Sequence, residues 1–170
     1  LQASLRLIEG ELLFIQPGLL LRQIKANIQI SEGTAEISSI AFNIGEGQYV
    51  LSGEVPFETF AGQVGFLNVS PENQKFSIHA SWKNLGTSAL SSLLSGDVFG
   101  KYQGESDGRL HVTGSRFQWD QVSGNADIYK LDFHTPDVSF QLKKPANLTF
   151  DKGALFFKEA EFFGKESQLK

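Results

Sequence analysis

Apolar and polar residues alternate one for one along most of this chain. Ile24, Ala26, Ile28 and Ile30 alternate with Lys25, Asn27 and Gln29, and Phe76, Ile78, Ala80 and Trp82 alternate with Ser77, His79 and Ser81. A period of two places each set on one face of a β-strand. Turn signals punctuate the alternation at Glu9-Gly10, Pro17-Gly18, Glu32-Gly33, Gly45-Glu46-Gly47 and Lys152-Gly153. One extra residue at Ser38-Ser39 separates Ile37 from the next phase of Ile40, Phe42 and Ile44, which predicts a β-bulge. About a dozen strands are expected in all. Helical spacing occurs once, where Leu90, Leu93 and Leu94 follow a Thr87 or Ser88 cap and precede Gly96. This predicts a short helix near residues 87–95 that plugs the sheet face.

The phrase Ile28-Gln-Ile30-Ser-Glu-Gly33 returns as Leu148-Thr-Phe150-Asp-Lys-Gly153. The offset is constant, from 33 to 153, and carries Ile37 onto Phe157 and Phe42 onto Phe162. Aligned apolar positions with an aligned turn glycine argue for an internal repeat. No linker, charge block or low-complexity tract divides the chain. We read residues 1–170 as one repeat-built unit, with repeat tails near 5–53 and 96–170.

The composition removes whole classes of chemistry. The 170 residues hold 15 Phe, no Cys and no Met. Without cysteine there is no disulfide framework and no thiolate metal site. Without Met, even at position 1, the expectation is a piece of a longer protein whose signal or anchor lies elsewhere. A net charge of −4 argues against a nucleic-acid backbone as partner. His79, His111 and His134 sit within strand patterns, none with a second ligand at metal-binding spacing in the sequence. Asp127 and Asp132 lack an aromatic-lined cleft that would pair them as acid and base. Ser91-Ser92 lacks a nucleophile elbow, and the Gly-rich turns lack a following phosphate-binding helix. The expectation is a non-enzyme without cofactor or metal, acting through a surface.

The apolar phase supplies that surface. Its candidate lining residues are Ile28, Ile30, Ile37, Phe42, Tyr49, Leu51, Phe76, Ile78, Trp82, Phe117, Trp119, Leu148, Phe150, Leu155, Phe157 and Phe162. The opposite phase is Lys, Gln, Asn, Ser and Glu. Two architectures satisfy this pattern: a closed β-sandwich core, or an all-β curled antiparallel sheet forming an open groove with a greasy wall. Pattern alone leans to the closed core. Each assignment depends on register, because one bulge reverses every residue after it.

A resemblance shifts the balance. The run Leu94-Ser-Gly-Asp-Val-Phe-Gly100, then Leu110-His-Val-Thr-Gly114, then residues 117–131, then Pro145-Ala-Asn-Leu-Thr-Phe-Asp-Lys-Gly153 through Gly164, resembles the repeat of the TamB family in the AsmA-like superfamily. Gly33 to Gly53, ending Tyr49-Val-Leu-Ser-Gly53, resembles the tail of a preceding repeat. The pattern is degenerate and covers roughly residues 5–53 and 90–170, while residues 54–83 fit less well. The resemblance implies an open β-groove of the β-taco kind in a periplasm-spanning, inner-membrane-anchored protein. It implies phospholipid acyl chains as cargo and an Omp85-type outer-membrane protein as a partner. Chaperoning of outer-membrane β-barrels or autotransporters is the alternative it carries. A lipopolysaccharide-bridge module and a closed interaction domain complete the readings.

Overall fold

The computed structural model describes residues 2–14, 19–56, 75–87, 103–115, 118–135 and 139–165. These form one open antiparallel sheet of twelve strands, not closed into a barrel. The strands are β1 (Gln2–Leu7), β2 (Leu12–Phe14), β3 (Leu19–Ser31), β4 (Thr34–Ile44), β5 (Gly47–Pro56) and β6 (Phe76–Gly86). They continue as β7 (Gln103–Gly114), β8 (Val122–His134), β9 (Ser139–Leu142), β10 (Ala146–Asp151), β11 (Ala154–Glu159) and β12 (Phe162–Lys165).

The main path runs β1-β3-β4-β5-β6-β7-β8-β10-β11. Three short strands lie in line with others rather than beside them. β2 continues β1 along β3, β9 shares the flank of β8 with β10, and β12 extends the row of β11 by pairing with β9. The sheet is therefore nine strands wide on its main path, about 38 Å at ~4.8 Å per step. Twelve strands abreast would have given about 53 Å.

The expected turns fall where the glycines are. At Ser31-Glu32-Gly33-Thr34 both central residues have positive φ, 49° and 81°, and at Asp151-Lys152-Gly153-Ala154 they have 45° and 85°. Two positive φ values make the tight hairpin whose twist matches its strands. The registers match as well: Ile30 faces Ala35 and Ile28 faces Ile37, while Phe150 faces Leu155 and Leu148 faces Phe157.

The bulge at Ser38-Ser39 is present, because Ile37 faces Gly53 and Ile40 faces Leu51. Further irregularities fall at Gln23 and Asn84, both non-glycine residues with positive φ, of 52° and 55°. Each extra residue bends its strand and increases the local twist, which curls the sheet.

Two expectations need correction or placement. Trp119 is not in a strand; it opens a 3-10 turn, Trp119–Gln121, leading into β8. The expected helix beyond Thr87, together with Phe117, lies outside the described residues.

Candidate functional site: the apolar face

Pairing carries apolar character across the whole sheet. Leu5 faces Ile28, which faces Ile37, and the strip continues through Gly53, Ile78, Val112, Gly124 and Phe150 to Leu155. A second strip, two residues along each strand and three on bulged β4, runs Leu7, Ala26, Ile40, Leu51, Ala80, Leu110, Ala126, Leu148, Phe157. A third joins Phe42, Tyr49, Trp82, Gly108, Ile128 and Ala146. None of these strips contains a charged residue. The ion pairs lie on the other face, as in Arg109–Asp127 at 2.7 Å and Lys130 with Glu105.

The strips place the candidate residues directly. Ile28, Ile37, Ile78, Phe150 and Leu155 lie on the first, Leu51, Leu148 and Phe157 on the second, and Phe42, Tyr49 and Trp82 on the third. Ile30 and Phe76 share their face, with Ile30 against Ala35 and Phe76 against Gly114. Phe162 faces Leu142 on the same side and meets Phe140 edge-on at 5.6 Å, while Phe140 stacks on Phe133 at 4.8 Å. Trp119 reaches this set from its turn by stacking on Phe150 at 5.6 Å, and its Nε1–H donates to the Gly153 carbonyl at 2.9 Å. The apolar wall also includes Leu5, Ile40, Leu110, Val112, Ile128 and Phe133, which belong to the same alternating strands but were outside the candidate lining set. Their signal was the same alternation, visible in Leu110-His-Val112.

Glycines make room for the large rings. A Cβ on Gly108 would collide with the Trp82 indole, and one on Gly124 would sit 2.6 Å from Phe150 Cζ. Trp82 and Phe150 therefore lie flat over a neighbouring strand instead of standing up from the sheet. Trp82 Nε1–H donates to the Ser106 hydroxyl at 3.0 Å, so its polar atom is satisfied within the wall. The Tyr49 hydroxyl is buried with no hydrogen-bond partner among the described residues, and burial raises its pKa above the ordinary phenol value.

Burial is uneven over this face. Ala35, Ile37, Val55, Phe76, Val122 and Phe150 form a small core, with Ala35 and Val55 only 1% and 2% exposed. Ile28, Ile30, Ile40, Ile78, Leu110 and Val112 are only partly buried. Toward the lateral edges exposure rises: Leu5 is 57% exposed at one edge and Phe157 64% at the other. A fully packed sandwich interior would bury such side chains.

Among the described residues there is no group of three or more His, Cys, Asp or Glu able to hold a metal ion. No helix among them is long and apolar enough to cross a membrane. Comparison with protein-family models, curated proteins and solved structures returns no match.

Proposed function

We propose that this chain is a non-enzymatic segment of a lipid conduit whose apolar face shelters phospholipid acyl chains in transit between two membranes. The observation that carries the reading is the set of uninterrupted, charge-free apolar strips crossing an open sheet whose other face is polar. Each CH₂ held in water costs roughly 0.8 kcal/mol, so a 16-carbon chain crossing an aqueous gap needs about 12 kcal/mol of shelter. Partly buried Ile28, Ile40, Ile78 and Leu110 supply contact for such a chain without first being unpacked. The resemblance to TamB-like repeats supports the same reading. It adds the periplasm as location, an inner-membrane anchor outside this segment and an Omp85-type partner.

The test is a photo-crosslinking residue placed at Leu51 or Phe42, with Lys25 and Gln29 as controls, in a bacterial envelope. Phospholipid adducts at the first pair and none at the second are expected. Equal labelling of both faces, or no lipid at either, would sink the proposal.

A second reading has its own observation. The outer flanks of β1 and of β11–β12 pair with no strand among the described residues, and Phe156, Phe157 and Phe163 are 56–64% exposed there. Free edges bind extended peptide by strand addition, as an assembly chaperone for outer-membrane proteins would. Protein adducts from a probe at Phe156, with no lipid at Leu51, would favour it.

A further inference from the structure

The polar face holds a site that the acyl-chain reading does not use. Cross-strand register brings His79 of β6 opposite His111 of β7. Their rings stack with centroids 4.1 Å apart and planes within 1° of parallel. The pair lines a cavity of about 400 Å³ together with Ser52, Ser81, Arg109 and Asn125. Every one of these side chains can donate a hydrogen bond, and no carboxylate is in the lining.

Geometry decides between a cation and an anion. The nitrogen bonds of an imidazole lie in its ring plane. Two parallel rings therefore keep them in parallel planes about 4 Å apart, which never meet at one point. A metal ion needs lone pairs that converge on one point. Two oxygens of a tetrahedral anion need donors side by side, as a guanidinium offers them. The Ser77 hydroxyl engages His111 Nε2 at 3.2 Å, holding that ring and leaving its other nitrogen for a ligand. Arg109 lines the same cavity; its Nε is on Asp127, its guanidinium lies 5.8 Å over the Tyr129 ring, and its side chain stays 64% exposed.

The surrounding charges agree. On the polar face, β5 contributes Glu54, β6 Lys83, β7 Asp107 and Arg109, and β8 Asp127. Asp127 is engaged by Arg109 and Asn147, and Asp107 accepts from the Asn84 backbone N–H at 2.7 Å. Glu54 lies on the far side of the His pair from Arg109, facing Ser77.

We propose that His79, His111 and Arg109 form a binding site for a tetrahedral oxyanion of the sulfate or phosphate class. The stacked imidazoles grip it as a two-pronged donor, and Arg109 closes the third side. The site is independent of the apolar face and would stand if the lipid reading failed.

The test is a sulfate titration of the protein followed through the imidazole nitrogens by NMR, at about pH 5.5 and about pH 8. Sulfate keeps its charge over this range, so a change in affinity reports the imidazoles. Binding should be on the order of tenfold tighter at the lower pH, and His79→Gln and Arg109→Gln should each weaken it by a similar factor. Unfolding midpoints confirm that the variants remain folded. No ring response at the lower pH, an unchanged response in His79→Gln, or a response to zinc alone would overturn the assignment. Inorganic phosphate and dihexanoyl phosphatidic acid then separate the sources. Equal binding shows that the phosphate group alone is read, binding of the lipid alone identifies a headgroup, and binding of neither refutes the site.

Discussion

A carboxylate placed on the apolar face should have opposite consequences at two positions two repeats of the pleat apart. Leu51 and Val55 are both on β5 and point the same way. Val55 is 2% exposed and packed in the core with Ala35 and Phe76. Val55→Asp buries a charge with no partner, which costs several kcal/mol and is comparable to the whole 5–15 kcal/mol stability of a domain. Leu51 is only half-buried between Ile40 and Ala80. Burying a leucine fully contributes about 1.5–3 kcal/mol, so losing the partial burial of Leu51 costs about 1–2 kcal/mol, and the new carboxylate keeps access to water. With a urea slope of about 2 kcal/mol/M, that shifts the midpoint by about 0.5–1 M. Urea unfolding followed by Trp82 and Trp119 fluorescence separates the two cases. Val55→Asp should be unfolded in buffer. Leu51→Asp should be folded and should lose lipid crosslinking from Phe42. If Leu51→Asp unfolds as Val55→Asp does, the face is a closed core and the open-face argument fails. If it folds and still takes up lipid, the conduit argument fails.

Other outcomes follow from single features. Gly108→Ala should displace the Trp82 ring, lowering stability by about 1–3 kcal/mol and changing the indole emission, because the added methyl has nowhere to go. Gly33→Ala and Gly153→Ala meet no atom within 4 Å and a closest atom at 3.4 Å respectively, so their effects are mainly backbone strain. Each should cost about 1–2 kcal/mol, and the two should agree in denaturant titration. Asp127 is held below the usual carboxylate range, first by the Asn147 amide and then by Arg109. A depressed folded-state pKa adds stability that is present above the unfolded value, near 3.9, and is lost as pH falls through the folded one. Asp127→Asn should therefore flatten the acid limb of the stability profile below about pH 4, and by little, since the pair is exposed.

Much of the fold was legible because period two and glycine turns are local signals. Lys152-Gly153 and Glu32-Gly33 mark their hairpins, and Ser38-Ser39 marks its bulge, through residue types within a few positions. Apart from Trp119 and Phe117, the candidate residues share one face because strand parity survives from turn to turn. What escaped was non-local. The extra residues at Gln23 and Asn84 adopt positive φ without glycine, so nothing in the local pattern marks them. The doublets Phe156-Phe157 and Phe162-Phe163 fill both phases of the alternation, and only pairing with Thr149 and Gln141 shows which ring faces the polar side. His79 and His111 read as unrelated histidines, since a separation of 32 positions says nothing of stacking until the β6–β7 register is known. Residues in line, such as β9 and β10, look in sequence like strands side by side, which is why the sheet is narrower than its strand count.

The two matched hairpins imply a fixed gearing between chain length and distance. The turns at Gly33 and Gly153 are 120 residues apart in the chain, and β4 and β11 are six strand positions apart in the sheet. Six positions advance the apolar wall by about 29 Å, or roughly 4 residues for each ångström. An α-helix covers the same distance with less than one residue per ångström. Growth is sideways: strand length sets how deep the wall is, and strand number alone sets how far it reaches. Reach can therefore change only in hairpin steps of about 10 Å. An insertion inside a strand changes the girth and leaves the reach as it was.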